Sequence, residues 1–286
     1  MRAEALWHAV RVGQAGGMST EGRRPTHGAI YMSYGMEISA TGALAAIHRQ
    51  DALTANLANL NTVGFKPILT GTMHRQAVRQ EDGLMNWPSD ALLERLGGGV
   101  LAAPTRIDFS QGGLDETGNE LDVAIQGEGF FVVGDPSSPS LTRDGRFTMD
   151  SGGSLVMAST GLPVLDGANR PIVLDPAGGP VTINTDGLIA QGGVPVATIR
   201  VADVPDRDVL KKIGQGLFAH ESGHPLVLIG ADGMVRHRTV ELSAVNEIDA
   251  LMDITSASKS AQSNIGMIDM QNRLLDRLVN TFARIS

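Results

Sequence analysis

His220-Glu221-Ser222-Gly223-His224 is the stretch of this chain whose residue types and spacing come nearest to a known chemistry. On a helix, two histidines four residues apart share a face and can hold a zinc ion, while the glutamate acts as general base on metal-bound water. Glu241 or Glu247 would be available as a third ligand. The flanking residues argue against the helix. Gly214 and Gly216 precede the motif, Gly223 lies inside it, and Pro225 follows at once, which turns His224 away from the helical region. Leu217-Phe218 and Leu226-Val227-Leu228 read as strands. The expectation is a turn carrying two exposed histidines, and the zinc metallohydrolase reading is set aside.

No other stretch asks for a substrate. The chain has no cysteine, which removes thiol catalysis, disulfides and thiolate metal sites. Gly97-Gly98-Gly99 and Gly127-Glu128-Gly129 lack the Gly-Lys-Ser/Thr that completes a phosphate loop, and no Gly-x-Ser-x-Gly elbow occurs. Asp203, Asp206 and Asp208 read as turn and cap residues. Every titratable residue is expected on the solvated surface, with no catalytic, cofactor or metal ligand among them. A net charge of −8 speaks against nucleic acid as a partner, and 4% aromatics against base-stacking platforms. No apolar run approaches the ~20 residues of a membrane helix, so no membrane insertion is expected. Arg23-Arg24 is not followed by an apolar segment, which excludes a cleaved secretory signal.

The elements that would position such residues fall in the order helix, β, helix. Residues 1–31 are polar and glycine-rich, and read as a disordered tail or, preferably, as sequence upstream of a start at Met32 or Met36. Residues 32–66 hold an alanine-rich helix from Met36 to about Leu60 and the stop that closes it. In that stop Gly64 is free to take positive φ, and Pro67 cannot continue a helix. A connector of irregular composition spans 67–120, with a short helix expected at Asp90 to Leu96. From 121 to 240 short apolar runs alternate with turn signals at Asp144-Gly145, Asp166-Gly167, Asp186-Gly187 and Asp232-Gly233. This density predicts a β domain of barrel or sandwich type, with one short helix at Pro205 to Gly214.

The last segment, 241–286, changes period. Ile254, Ser258, Ala261, Ile265, Ile268, Asn272, Leu275, Val279 and Phe282 fall on alternating four- and three-residue steps, a heptad seam in which Asn272 would fix register. A helix this long must bury its stripe on another helix, and the N-terminal one is the available partner. The predicted fold is therefore mostly β, with the two terminal helices paired as a coiled coil and the β domain inserted between them.

Asn56-Leu57-Ala58-Asn59-Leu60-Asn61-Thr62-Val63-Gly64-Phe65-Lys66 closely resembles the signature that ends the N-terminal helix of bacterial flagellar rod and hook proteins. Ala55 stands where that pattern has its first Asn, and Thr54 where it has Ala. The resemblance continues through 111–131, through Thr142-Arg143-Asp144-Gly145-Arg146-Phe147, and through Glu241-Leu242-Ser243-Ala244-Val245-Asn246, with Ala244 in place of the usual Asn. Ser258-Lys259-Ser260 replaces the family's Arg-aromatic pair. The resemblance implies a structural subunit of the basal-body rod, not an enzyme, that assembles helically with itself and other rod proteins and transmits torque. It implies that the flagellum's own type III export apparatus delivers the chain to the periplasm-spanning rod without a cleaved signal. Asn56, Leu57, Asn59, Thr62, Gly64 and Phe65 would then be signature residues, and the heptad positions assembly residues. Residues 207–214 leading into Leu217-Phe218 look more like the proximal rod type than the distal rod or hook type.

Overall fold

A computed structural model describes residues 27–76 and 98–282. Helix α1 (His27–Ala58) begins ahead of Met36 and ends at the expected stop. The connector is less irregular than its composition implied. It contains β1 (Ile68–Leu69), β2 (Thr72–His74), β3 (Val100–Ala102), β4 (Arg106–Ile107) and β5 (Leu114–Glu116). The expected helix at Asp90 to Leu96 lies outside the described residues.

The β domain runs through β6 (Val123–Gln126), β7 (Phe130–Asp135), β8 (Ser138–Thr142), β9 (Phe147–Met149), β10 (Leu155–Met157), β11 (Val181–Ile183), β12 (Leu188–Gln191), β13 (Val194–Thr198) and β14 (Val201–Asp203). It continues with β15 (Leu210–Gly214), β16 (Leu217–His220), β17 (Ile229–Gly230), β18 (Met234–His237) and β19 (Thr239–Glu241). Helix α2 (Glu247–Phe282) ends the described chain.

Among the described residues the largest sheet has six strands in the order β15-β16-β8-β7-β14-β17, and a second has the order β11-β12-β13. The remaining strands form antiparallel pairs, among them β1–β4, β6–β18 and β5–β19. No sheet closes on itself, so the domain is layered, not a closed barrel. Strand β7 is buried on both faces. Its alternate residues Phe131 and Val133 enter one apolar cluster with Val123, Ile125 and Phe147, while Phe130 and Val132 enter another with Leu141, Leu165 and Phe218. Edge-on aromatic contacts anchor each cluster, Phe131 on Phe147 at 5.3 Å and Phe130 on Phe109 at 5.4 Å.

Three apolar runs read as strands and one expected helix are corrected; of the runs, Leu226-Val227-Leu228 is irregular, with only Ile229–Gly230 after it entering a sheet. Residues 163–165 and 172–174 make only isolated bridges, such as Val156–Pro163 and Leu165–Pro171, because a proline has no N–H for the ladder. Pro205 to Gly214 is not one helix. Asp206 does cap a turn, accepting from the Asp208 N–H, but this is a single 3-10 turn at Arg207–Val209, and the chain then extends as β15.

The terminal helices pair as expected, antiparallel. Gly35 faces Gln271, Gly42 faces Asn264, and Arg49 reaches Asp253 at 3.1 Å. The buried and half-buried residues of α2 are Ala250, Asp253, Ile254, Ala257, Ser258, Ala261, Asn264, Ile268, Gln271 and Leu275. All but Asp253 and Ser258 fall on one heptad, and Ile254, Ser258, Ala261, Ile268 and Leu275 are positions of the expected seam. Beyond Ser258 the alternate positions are displaced by one residue. Ile265, Asn272 and Val279 are exposed, and Asn264 and Gln271 turn inward instead. The reason lies on α1, whose glycines at 35 and 42 leave room for amide side chains where a larger residue would block them. The seam is consequently built from small residues, including Ser39, Ala43 and Ala45 of α1.

In the purified chain, Ile265→Ala and Val279→Ala should therefore change urea-unfolding stability by no more than about 0.5 kcal/mol. Ala257→Glu, which buries a charge without a partner, should cost at least ~2 kcal/mol or separate the helices. Equal sensitivity at 265 and 257 would contradict the observed seam.

Candidate functional site

The exit from α1 is built by its own side chains. The Asn56 amide is buried and pairs in both directions with the backbone of Ile68, donating to its carbonyl at 2.9 Å and accepting from its N–H at 2.8 Å. It acts as a one-residue strand that turns the chain toward β1. Asn59 donates back to the Ala55 carbonyl at 2.8 Å, and its side-chain oxygen accepts from the Thr62 hydroxyl at 3.1 Å. Leu57 and Phe65 are half-buried beside this turn. Gly64 takes φ of 67°, and a Cβ there would lie 2.4 Å from the backbone carbon of Arg143, so only glycine fits. The Gly64 N–H donates to the Glu241 carbonyl, and the Ala244 N–H to the Phe65 carbonyl at 3.1 Å. The chain leaving α1 is thus paired with the chain about to enter α2.

Next to Gly64, three charges lie out of water together. The Glu241 carboxylate is fully buried. One oxygen accepts from Lys66 Nζ at 2.5 Å and from the Gly112 N–H at 2.9 Å; the other accepts from an Arg143 amino group at 3.0 Å. Lys66 also donates to the Ser110 carbonyl at 2.7 Å. Arg143 donates to the Ile125 and Gly127 carbonyls and stacks 5.3 Å over the Phe130 ring, while its Nε is buried with no acceptor. Gln111 completes the wall, bonding Ile125 and Gly127. Burial pulls both Lys66 and Arg143 below their ordinary ranges, and the Glu241 carboxylate opposes the shift in each.

This cluster corrects the expectation that all titratable residues are solvated. Each of the four sequence blocks supplies a member: Lys66 from the helix stop, Gly112 from the connector, Arg143 from the end of β8, and Glu241 from β19. Nothing in the spacing of 66, 143 and 241 announces that they meet. The available signal was confined to two blocks, in which Lys66 and Glu241 are the single charged residues of 56–66 and 241–246. Outside the cluster, Lys212 donates to the Lys66 carbonyl and lies 3.8 Å over the Phe65 ring. Burial pushes its ammonium down to about 8.

The histidine motif falls where a zinc site cannot form. His220 ends β16, the Ser222 N–H donates to His220 Nδ1 at 3.1 Å, and Glu221 is tied through its N–H to the Val209 carbonyl. The two rings stand edge-on, 5.8 Å apart, on a turn. Among the described residues no three His, Asp or Glu side chains converge as metal ligands. Glu241 is committed to Lys66 and Arg143, and Glu247 lies in the first turn of α2. The buried charge cluster joins the helix pair to the β domain.

Glu241→Ala leaves two buried cations without a counter-charge and should cost roughly 3–5 kcal/mol in urea unfolding. Lys66→Met should cost less, because Arg143 remains on the carboxylate. Lys212 loses its proton at about 8 when folded against an ordinary 10.5. The unfolded chain binds more protons between those values, so this lysine makes stability rise with pH across that window. The stability of the wild-type chain relative to Lys212→Met should accordingly increase from pH 8 to 10.5; a flat difference would contradict the burial of its charge.

Two family models match the chain. The one described as "Flagella basal body rod protein" covers residues 36–66, and the "Flagellar hook protein FlgE/F/G D1 domain" covers 124–191. These contain the α1 exit and the strands that carry Arg143. The chain is 33% identical over 210 residues to the flagellar basal-body rod protein FlgF of Mesorhizobium japonicum, spanning 73% of this chain and 75% of that one. It is 29% identical over 238 residues to FlgF of Caulobacter vibrioides, spanning 82% and 92%. It is also 29% identical over 259 residues to the rod protein FlgG of Buchnera aphidicola subsp. Schizaphis graminum, spanning 84% and 96%. Four motif blocks in order, knotted at one buried carboxylate beneath an antiparallel helix pair, and relatives matched over 75% to 96% of their length place the chain in the flagellar basal-body rod protein family, most like FlgF.

Proposed function

We propose that the chain is a torque-transmitting subunit of the proximal part of the rod, held in place by the face of α2 that its own partner helix leaves bare. The observation that carries this is the apolar surface that α2 leaves exposed. Ile248, Met252, Ile265, Met267, Met270, Leu274 and Val279 are all at least two-fifths exposed; Ile248, Met252, Met267, Met270 and Leu274 share the face away from α1, while Ile265 and Val279 lie nearer the seam. A monomer would leave that surface in water, where it costs free energy in proportion to its area. Repeated contacts between unlike patches of identical or related subunits bury it and generate an open helical array.

This gives the site residues two distinct roles. Ile254, Ile268 and Leu275 hold α2 to α1. Ile265, Asn272 and Val279 face neighbouring subunits, with Phe282 at the end of the same helix. Asn56, Leu57, Asn59, Thr62, Gly64 and Phe65 set the angle at which the chain leaves the axial helices for an outward β domain. The chain acts as a structural part and not as an enzyme, and its partners are itself, other rod proteins and, in transit, the flagellar export apparatus. Its place is the periplasm-spanning rod, reached without a cleaved signal. The FlgG relatives, matched over 84% of the chain, favour a distal-rod role as the second reading.

Deleting 250–286 in a motile host that lacks its own copy should abolish swimming and leave basal bodies incomplete. His220→Ala together with His224→Ala should swim as wild type. A motile truncation, or a non-motile histidine variant, would sink the proposal.

A further inference from the structure

A cleft of about 540 Å³ lies between the β1–β4 ribbon and the outer edge of the six-stranded sheet. Arg106, Arg207, Lys211 and Lys212 line it against Asp208 and Glu221. That is an excess of positive charge on a chain whose net charge is −8. Two of the cations are already engaged: Arg207 is held by Asp203 and by Glu128 at 3.2 Å, and Arg106 stands 3.8 Å from Asp208. Lys211 and Lys212 have no carboxylate within ion-pair distance among the described residues.

Lysines on an outer strand commonly serve as guards, keeping the strand edge from pairing with other chains. That explains Lys211, which is exposed. It does not explain Lys212, which is half-buried, lies over the Phe65 ring and points its ammonium at a carbonyl. A guard facing water gains nothing from losing its hydration. A cation held in a cleft wall, with donors to spare and no counter-charge, is arranged to receive an anion. Strand β15 is the outermost strand of its sheet and runs beside the cleft, so its unpaired backbone groups favour an extended occupant.

We propose that this cleft docks an extended acidic segment of a neighbouring protein subunit, one carboxylate of which supplies the counter-charge that Lys212 lacks among the described residues. The proposal rests on the rod reading, since it needs a neighbour. It adds an electrostatic contact on the β domain to the apolar contact on α2. Opposite charge at such a site sets orientation and selects partners more than it adds affinity, so the cleft would discriminate among axial neighbours.

Reductive methylation of lysines tests it directly, on the purified full chain and on isolated basal bodies at about pH 8. Lys212 should label in the free chain and be protected about tenfold on assembly. Lys211→Glu, at an exposed position that leaves the fold's contacts alone, should reduce swimming at least about twofold without moving the unfolding midpoint, and Lys211→Gln should do less. Equal labelling of Lys212 in both forms, or wild-type swimming of Lys211→Glu, overturns the proposal. So does full protection of Lys212 in the free chain by inorganic phosphate, which would make the cleft a small-anion site. If Lys211→Glu swims normally while deletion of 250–286 abolishes motility, the cleft proposal fails and the rod reading stands.

Discussion

The buried Glu241 carboxylate is the constraint on which the rest of the architecture depends. Taking an ion out of water costs several kcal/mol, and the cost is offset only when every partner is in place. Here the partners arrive from three distant parts of the chain: Lys66 from the end of α1, the Gly112 N–H from the connector, and Arg143 from the end of β8. None of them can be satisfied alone. The cluster is therefore formed whole or not at all, and its formation sets where the helix pair stands on the β domain. A well-packed apolar plug at the same place could be as stable, but it would tolerate sliding and rotation that a carboxylate with three fixed donors does not. For a structural subunit, a stiff joint of defined angle matters more than a few kcal/mol of stability.

The helix pair shows a complementary division of surface. Its internal seam combines Ala, Ser and Gly and two amides with three larger apolar residues, Ile254, Ile268 and Leu275, so the helices approach closely while burying a modest apolar area. The larger apolar residues of α2 are mostly turned outward. Such a pair is held by its attachment to the β domain and by close packing. The chain thus keeps the residues that hold its helix pair together apart from the apolar residues it leaves exposed, and Asn264 and Ile265 show the two sets one residue apart along one helix. The β domain repeats this division in charge: an acidic surface overall, with a basic cleft beside the strand edge.

Much of the architecture could be read in advance, for identifiable reasons. Ala-rich composition and a stop at Asn59 to Pro67 define α1, because helix propensity, side-chain capping and proline act locally. Asp-Gly turns and short apolar runs locate most strands for the same reason. Failures occurred where a local signal was outvoted. Pro163 and Pro171 turned apparent strands into isolated bridges by removing ladder donors. Asp206 capped only a single 3-10 turn, because Leu210 was needed in the cluster around Phe130 and the chain extended to deliver it. That the histidine motif lies on a turn was legible on local grounds alone, since its glycines and proline forbid a helix there.

What the sequence by itself determined was the order helix, β, helix, the pairing of the two terminal helices, and a family resemblance carried by motifs in sequence order. Those depend on residues close together in the chain. Only the tertiary structure decided which heptad face is internal, because apolarity alone selects Ile265 over Asn264 and was overruled by the glycines of another helix at 35 and 42. Only the tertiary structure brought Lys66, Arg143 and Glu241 together and left Lys212 without a counter-charge among the described residues. Burial and charge pairing belong to positions in space, and residues 66, 143 and 241 share nothing along the chain that would reveal them as neighbours.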